Sequence, residues 1–235
     1  MFFILRTTII VGPYDSSYYR RISVVVPNIG WWISVGYNTA ISNVLVDNGT
    51  WVVGPSLPTE EEFGYSSRPR KFCGCQLNAT HTMVTGGQVG LSGSSLSDVW
   101  LYDWSSGQWK VGRNMTNPRR NHHCTSISGG RVVVAGGTGL YGQDLSDIEV
   151  FDPAADGGLG GWYSMGDLPD SSDYPGAELL YNGNNFIYLH RRNIWLYDES
   201  EASWTEFGKD LTSTYYSGNP VAMIPEDFIL KKVEL

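Results

Sequence analysis

The side chains best equipped for chemistry in this 235-residue chain are two adjacent histidines and three cysteines. His122 and His123 stand next to Cys124, and imidazole and thiolate are ligands for zinc or copper. On a strand, sequence neighbours point to opposite faces, so His122 and Cys124 share one side and His123 takes the other. Stacking this segment on an earlier, similar one sets Cys75 beside Cys124 and Cys73 beside His122. Cys73, Cys75, His122 and Cys124 could then form a metal centre, a Cys75–Cys124 or Cys73–Cys124 disulfide, or ordinary packing. Packing is the reading carried forward, with no metal site assigned and no cofactor expected. Three is an odd and small number of cysteines, so disulfides are not expected to be the main source of stability.

Other groups invite chemistry less strongly. Asp98 and Asp147 stand at equivalent places before a strand and could suggest calcium, but a carboxylate there more often accepts backbone N–H groups of a turn. No Ser/His/Asp or phosphate-loop spacing is found; the run Gly157, Gly158, Leu159, Gly160, Gly161 precedes a strand and reads as a flexible hairpin loop. Asn48, Asn78 and Asn114 each open an Asn-x-Thr sequon at an expected turn, where a glycan has room.

These groups need a scaffold, and composition describes it. With 28 Gly, 11 Pro, 9 Trp and 14 Tyr against 17% charged residues, the chain suits many short strands joined by tight turns, and long helices are not expected. A hydrophobic fraction of 41% places it among chains that collapse. A net charge of -8 without a Lys/Arg block argues against nucleic acid as a partner. No apolar stretch reaches the roughly 18–20 residues that span a bilayer, so membrane insertion is not expected. Met1–Gly12 (MFFILRTTIIVG) could be taken for a signal peptide; Arg6 interrupts its apolar run and no small-residue cleavage pattern precedes Pro13, so an edge strand is the reading taken.

Self-similarity is the main signal. LSDVWLYD at 96–103, LSDIEVFD at 145–152 and RNIWLYD at 192–198 superpose, with a worn copy, ISNVLVD, at 41–47. Each is an alternating strand that ends in an acidic turn residue, and each is followed by a tryptophan: Trp51, Trp109, Trp162 and Trp204. Upstream lies another apolar strand whose end is marked by Gly36, Gly86, Gly136 and, in the fourth copy, His190, at spacings of 50, 50 and 54 residues. A further strand precedes it, at 22–26, 71–77, 121–127 and 177–181. Four strands per unit make a sheet that cannot bury both faces alone, so neighbouring sheets must pack face to face.

These residues resemble the kelch repeats, whose period is about 50 residues. Gly86–Gly87 and Gly136–Gly137 match the double glycine, Tyr102, Phe151 and Tyr197 the aromatic, and Trp109, Trp162 and Trp204 the tryptophan. Pro118–His123 is similar to the arginine-to-histidine opening of a kelch blade, which gives His123 a structural role; blade two keeps Pro69–Arg70 but has Gly74 where that histidine would stand. Blade one has a single glycine and Val46 for the aromatic, and blade four has His190–Arg191 for the glycine pair. The resemblance implies an all-β fold, a kelch-type β-propeller of about four complete four-stranded blades. As one domain over 1–235, blades fall near 20–58, 69–116, 118–168 and 175–208. Pieces at 1–12 and 218–235 would be partial strands that leave an incomplete ring or complete a fifth blade.

For function, the resemblance implies a protein-interaction module that presents inter-blade loops and is not an enzyme. Thr59–Arg68, Gln88–Ser97 and Asp167–Pro175 are the expected contact loops, with exposed Arg70, Arg119 and Arg120 beside Phe63 and Tyr65 as candidate contacts. A protein partner is expected, and the sequons favour an extracellular setting. Two alternatives stand beside this reading. One is a galactose-oxidase-like copper oxidase, for which His81, His122, His123 and His190 are the available histidines; the other is a partial gene product without independent function.

Overall fold

The computed structural model describes residues 22–26, 30–34, 42–46, 50–56, 69–89, 93–169, 178–181, 186–190, 193–198, 201 and 203–208. Phe63, Tyr65, Asn48, the whole 59–68 loop and the two end pieces lie outside the described residues, as does the question of ring closure. No described helix is long and apolar enough to cross a membrane.

Four antiparallel sheets of four strands each follow one another along the chain. The first holds β1 (Ile22–Val26), β2 (Gly30–Ser34), β3 (Ser42–Leu45) and β4 (Trp51–Val53). A two-residue strand β5 (Pro69–Arg70) pairs with β8 (Gln88–Val89). Between and after these run the strands of the second sheet: β6 (Cys73–Gln76), β7 (His81–Thr85), β9 (Val99–Asp103) and β10 (Gln108–Val111). The third is β11 (His123–Ile127), β12 (Arg131–Ala135), β13 (Asp147–Asp152) and β14 (Gly161–Asp167). The fourth is β15 (Glu178–Tyr181), β16 (Phe186–His190), β17 (Asn193–Asp198) and β18 (Ser203–Gly208). Strand order within each sheet is sequential, so every sheet is a meander.

The first strands of successive sheets, β1, β6, β11 and β15, lie side by side. The core is accordingly divided into three seams, one per pair of neighbouring sheets. Val26 and Val44 meet Val84 and Trp100 in the first. Met83 and Val99 meet Val132, Val134 and Phe151 in the second. Val133, Ile148 and Val150 meet Phe186, Tyr188 and Tyr197 in the third. β12 shows why both faces of a sheet are apolar here: Val132 and Val134 serve one seam while Val133 and Ala135 serve the next. All four of these residues are fully buried. The described residues thus form an all-β stack of four-stranded antiparallel blades, the arrangement of a β-propeller.

The recurring residues hold the seams together. Tyr102 pairs with Trp109, Phe151 with Trp162 and Tyr197 with Trp204 across the third and fourth strands, with ring centroids 5.0, 5.3 and 5.0 Å apart. Each tryptophan's indole N–H then donates to a backbone carbonyl at or just past the end of the outer strand of the preceding sheet: Ser56 (2.8 Å), Arg113 (2.8 Å) and Asp167 (2.9 Å). Tryptophan therefore fixes both the edge of its own blade and the distance to the one before. The acidic residue that closes each third strand is a turn former: Asp103, Asp152 and Asp198 accept the amides of Ser105, Ala154 and Glu201. Around Asp103 the Ser105 hydroxyl, then the Ser105 amide, then the Ser106 hydroxyl hold the carboxyl well below the usual range. The 157–161 segment, expected to be a flexible hairpin loop, lies in the connection between the antiparallel strands β13 and β14, where Asp156, Gly157 and Gly158 turn the chain at positive φ (50°, 70° and 93°).

Candidate interaction face

Because the strands of each sheet alternate in direction, the connections fall into two sets. The links from first to second and third to fourth strands lie at one end of the blades, here the hairpin end. Those from second to third strand, and from one blade to the next, lie at the other, the loop end. Arg70, Arg119 and Arg120 all belong to the loop end.

Arg119 is not the exposed contact that the sequence suggests. It is fully buried, with Nη2 2.5 Å from both Asp147 Oδ2 and Glu149 Oε1 and Nη1 2.9 Å from the Gly136 carbonyl. Glu149, itself buried in β13, also accepts the amides of Thr116 (2.7 Å) and Asn117 (3.0 Å). A planar guanidinium can serve several acceptors in one plane, and a carboxylate facing it inside the fold draws it inward. Asp147 thereby accepts from Arg119 and from the Asn117 side-chain amide (3.0 Å) rather than from backbone N–H groups of a turn. Arg120 is half-buried and donates to the Ser95 hydroxyl (3.0 Å), so it braces a loop. Arg70 sits on β5 opposite Gln88.

Blades two and three align one residue away from the motif reading. Cys73 pairs with Thr85 and His123 with Ala135, each just before its glycine pair, and Arg70 and Arg120 face the equivalent positions Gln88 and Thr138. Arg70 therefore corresponds to Arg120, and Cys73, not Gly74, stands in the place of His123. Lys71 and Asn121 confirm the match, both adopting positive φ (55° and 54°) two residues before the strand. The glycine pairs are needed because this connection runs against them. At Gly137 (φ 92°) a Cβ would lie 2.5 Å from the Arg120 carbonyl and 2.8 Å from His122 Cβ.

The histidine and cysteine cluster resolves into packing and one covalent link. Cys73 and Cys124 form a disulfide between β6 and β11, with Cα atoms 5.9 Å apart. Cys75, which the other alignment set beside Cys124, is a buried free thiol; burial pushes it up to about 12, a Ser126 hydrogen bond opposing. His122 lies 2.8 Å from Thr85 Oγ1 on one side of β11. His123 packs edge-on to Tyr188 on the other, with ring centroids 6.3 Å apart. The opposite-face expectation therefore holds, and the two rings enter different seams. Among the described residues no group of three or more His, Cys, Asp or Glu is placed to hold a metal ion.

The loop end carries a feature that the sequence reading missed. Between β12 and β13, Leu140 and Tyr141 stand at the tip of a hydrogen-bonded turn, with Tyr141 89% and Leu140 39% exposed. Gly139 N–H donates to the Gln143 carbonyl (2.7 Å), and the Tyr141 amide to Gln143 Oε1 (3.0 Å). The buried Ser95 hydroxyl, from the matching loop of blade two, lies 2.8 and 3.0 Å from the Thr138 and Gly139 carbonyls. Two adjacent large apolar residues between glycines were the available signal. Of the sequons, Asn78 lies at the hairpin end and Asn114 at the loop end, and both are exposed.

Comparison with known proteins agrees with this geometry. Residues 69–116 and 119–156 match the Kelch motif family. Among solved structures 183 chains match. One, described as "Structure of YjhT", aligns with a TM-score of 0.64 at 13% identity over 86% of this chain and 69% of that one, a likeness of fold. No curated protein matches the chain.

Proposed function

We propose, for a chain that carries two kelch repeats on a propeller fold, that it is a non-catalytic protein-binding module whose loop end meets the partner. The observation that carries this reading is the Leu140–Tyr141 tip. Exposed tyrosine on a pre-formed turn is typical of interface anchors, since little conformational freedom is lost on docking. Among the described residues the hairpin end offers exposed Leu159 among glycines, with Trp51 and Tyr163 partly exposed on the nearby strands, a more scattered anchor. The tip projects, so the partner supplies the concave side: an apolar pocket with a polar group for the tyrosine hydroxyl. The module is read as an extracellular glycoprotein, supported by the Cys73–Cys124 link, because disulfides persist in oxidising compartments.

The test is a titration of the purified partner, once captured from the source organism, against the full chain and its variants. Tyr141→Ala should weaken binding about 30-fold or more, in line with an anchor worth about 2 kcal/mol. Leu159→Ser should leave it unchanged. Binding that survives Tyr141→Ala and fails with Leu159→Ser would place the partner at the opposite end.

A further inference from the structure

We infer that Asn78 carries an N-linked oligosaccharide, which makes the hairpin end of blade two a sugar-covered surface. The three residues of its sequon, Asn78, Ala79 and Thr80, are all exposed on the turn between β6 and β7. Asn78 Oδ1 takes the amides of Thr80 (2.9 Å) and His81 (2.9 Å) and lies 3.2 Å from Thr80 Oγ1. Among the described residues, every hydrogen bond of this side chain goes to Oδ1. The nitrogen that would bear a sugar is thus not engaged, and the turn survives substitution there because it uses only the oxygen.

The sequon at Asn114 is built differently. Its middle residue, Met115, is 3% exposed in the second seam, and the Thr116 amide is held by Glu149 at 2.7 Å. That stretch closes as blades two and three pack, whereas the Asn78 turn stays open to an acceptor-binding enzyme after folding. Occupancy at Asn78 should therefore exceed that at Asn114.

The donor is a lipid diphosphate-linked oligosaccharide. Asn78 Nδ2 forms a bond to the sugar C1 as the C1–O bond to the diphosphate breaks; the diphosphate leaves with the electron pair and Nδ2 gives up one proton. This step belongs to the compartment that oxidises Cys73 and Cys124, two strand residues of the neighbouring β6 and β11. The inference rests on the oxidising-compartment reading and not on the choice of binding face.

The full chain, directed into the secretory pathway of a eukaryotic cell, should be alkylated under denaturing conditions to mark free thiols, then analysed after reduction, trypsin and enzymatic deglycosylation in heavy-oxygen water. Lys71, Lys110, Arg113 and Arg119 place Asn78 and Asn114 on separate peptides. The expected result is more than half occupancy at Asn78, abolished by Asn78→Asp, which keeps the turn-forming oxygen, and by Thr80→Ala, but retained in Thr80→Ser. An unmodified Asn78 in a secreted, disulfide-bonded chain overturns the inference alone. An unmodified Asn78 with three free thiols overturns the compartment reading as well.

Discussion

Replacing Arg119 by methionine tests whether the buried ion cluster organises the passage from blade two to blade three. The substitution fills similar volume but removes the charged donor that serves Asp147 Oδ2 and Glu149 Oε1 and leaves the Gly136 carbonyl without its guanidinium. A buried carboxylate stripped of its partner costs about 3–5 kcal/mol. The lower end applies because Glu149 keeps the Thr116 and Asn117 amides, so a loss of about 3 kcal/mol is expected. For a chain of this size that lowers Tm by about 6–12 °C, readable by calorimetry or urea unfolding followed by tryptophan fluorescence. Lysine in its place should give an intermediate loss, since it restores the charge without the planar fork. Combining Arg119→Met with Glu149→Gln should lose less than the sum of the two, by about 1 kcal/mol or more, because the neutral amide has less to gain from arginine. An Arg119→Met protein within about 0.5 kcal/mol of the parent, or strict additivity in the double variant, would show that the cluster is incidental.

Opening the Cys73–Cys124 link, which spans 51 residues, should lower stability by about 4 kcal/mol on the chain-entropy relation, measured as unfolding with and without reductant. Cys75, raised by burial to about 12, should resist alkylation at pH 8 until the protein unfolds. Its contribution to stability is fully present below the ordinary thiol value near 9 and lost as pH rises toward 12. Cys75→Ala should therefore flatten the alkaline fall of the stability curve, and an unchanged slope would refute the assignment. Gly137→Ala should cost about 2–3 kcal/mol, strain plus collision, while Gly142→Ala, also at positive φ but with open space around it, should cost only about 1 kcal/mol. Trp162→Phe should lose about 1–2 kcal/mol by leaving the Arg113 carbonyl without its indole donor.

The sheets were legible because their causes are local and repeated: period-two apolar runs, a tryptophan that must bridge two blades, a glycine pair that must let a neighbour pass. Register was harder. Pro69–Arg70 and Pro118–Arg119 are identical dipeptides, yet the second connection is one residue longer, as the pairing of Cys73 with Thr85 and His123 with Ala135 reveals. That slip also decided which cysteine meets Cys124. Arg119 was misread because loop arginines are usually solvated, and its acceptors lie 28 and 30 residues downstream, where no local pattern points back to it. Leu140 and Tyr141 were overlooked for the converse reason: apolar residues in a loop look ordinary until the turn beneath them is seen to be braced by Ser95.

Among the described residues the middle seam carries more ties than its flanks. It shares with them an apolar core and a tryptophan link, and adds the sulfur bridge, the Arg113 link to the Gly160 carbonyl, Ser126 bonded to the Gln76 carbonyl, and the Asn121 amide on that of Lys71 (2.9 Å). Under a pulling force applied at the two ends, the first and fourth sheets should peel away while the central pair endures as a single mechanical unit. A force trace should then show early low peaks and one late high peak, and a reducing agent should erase the last one.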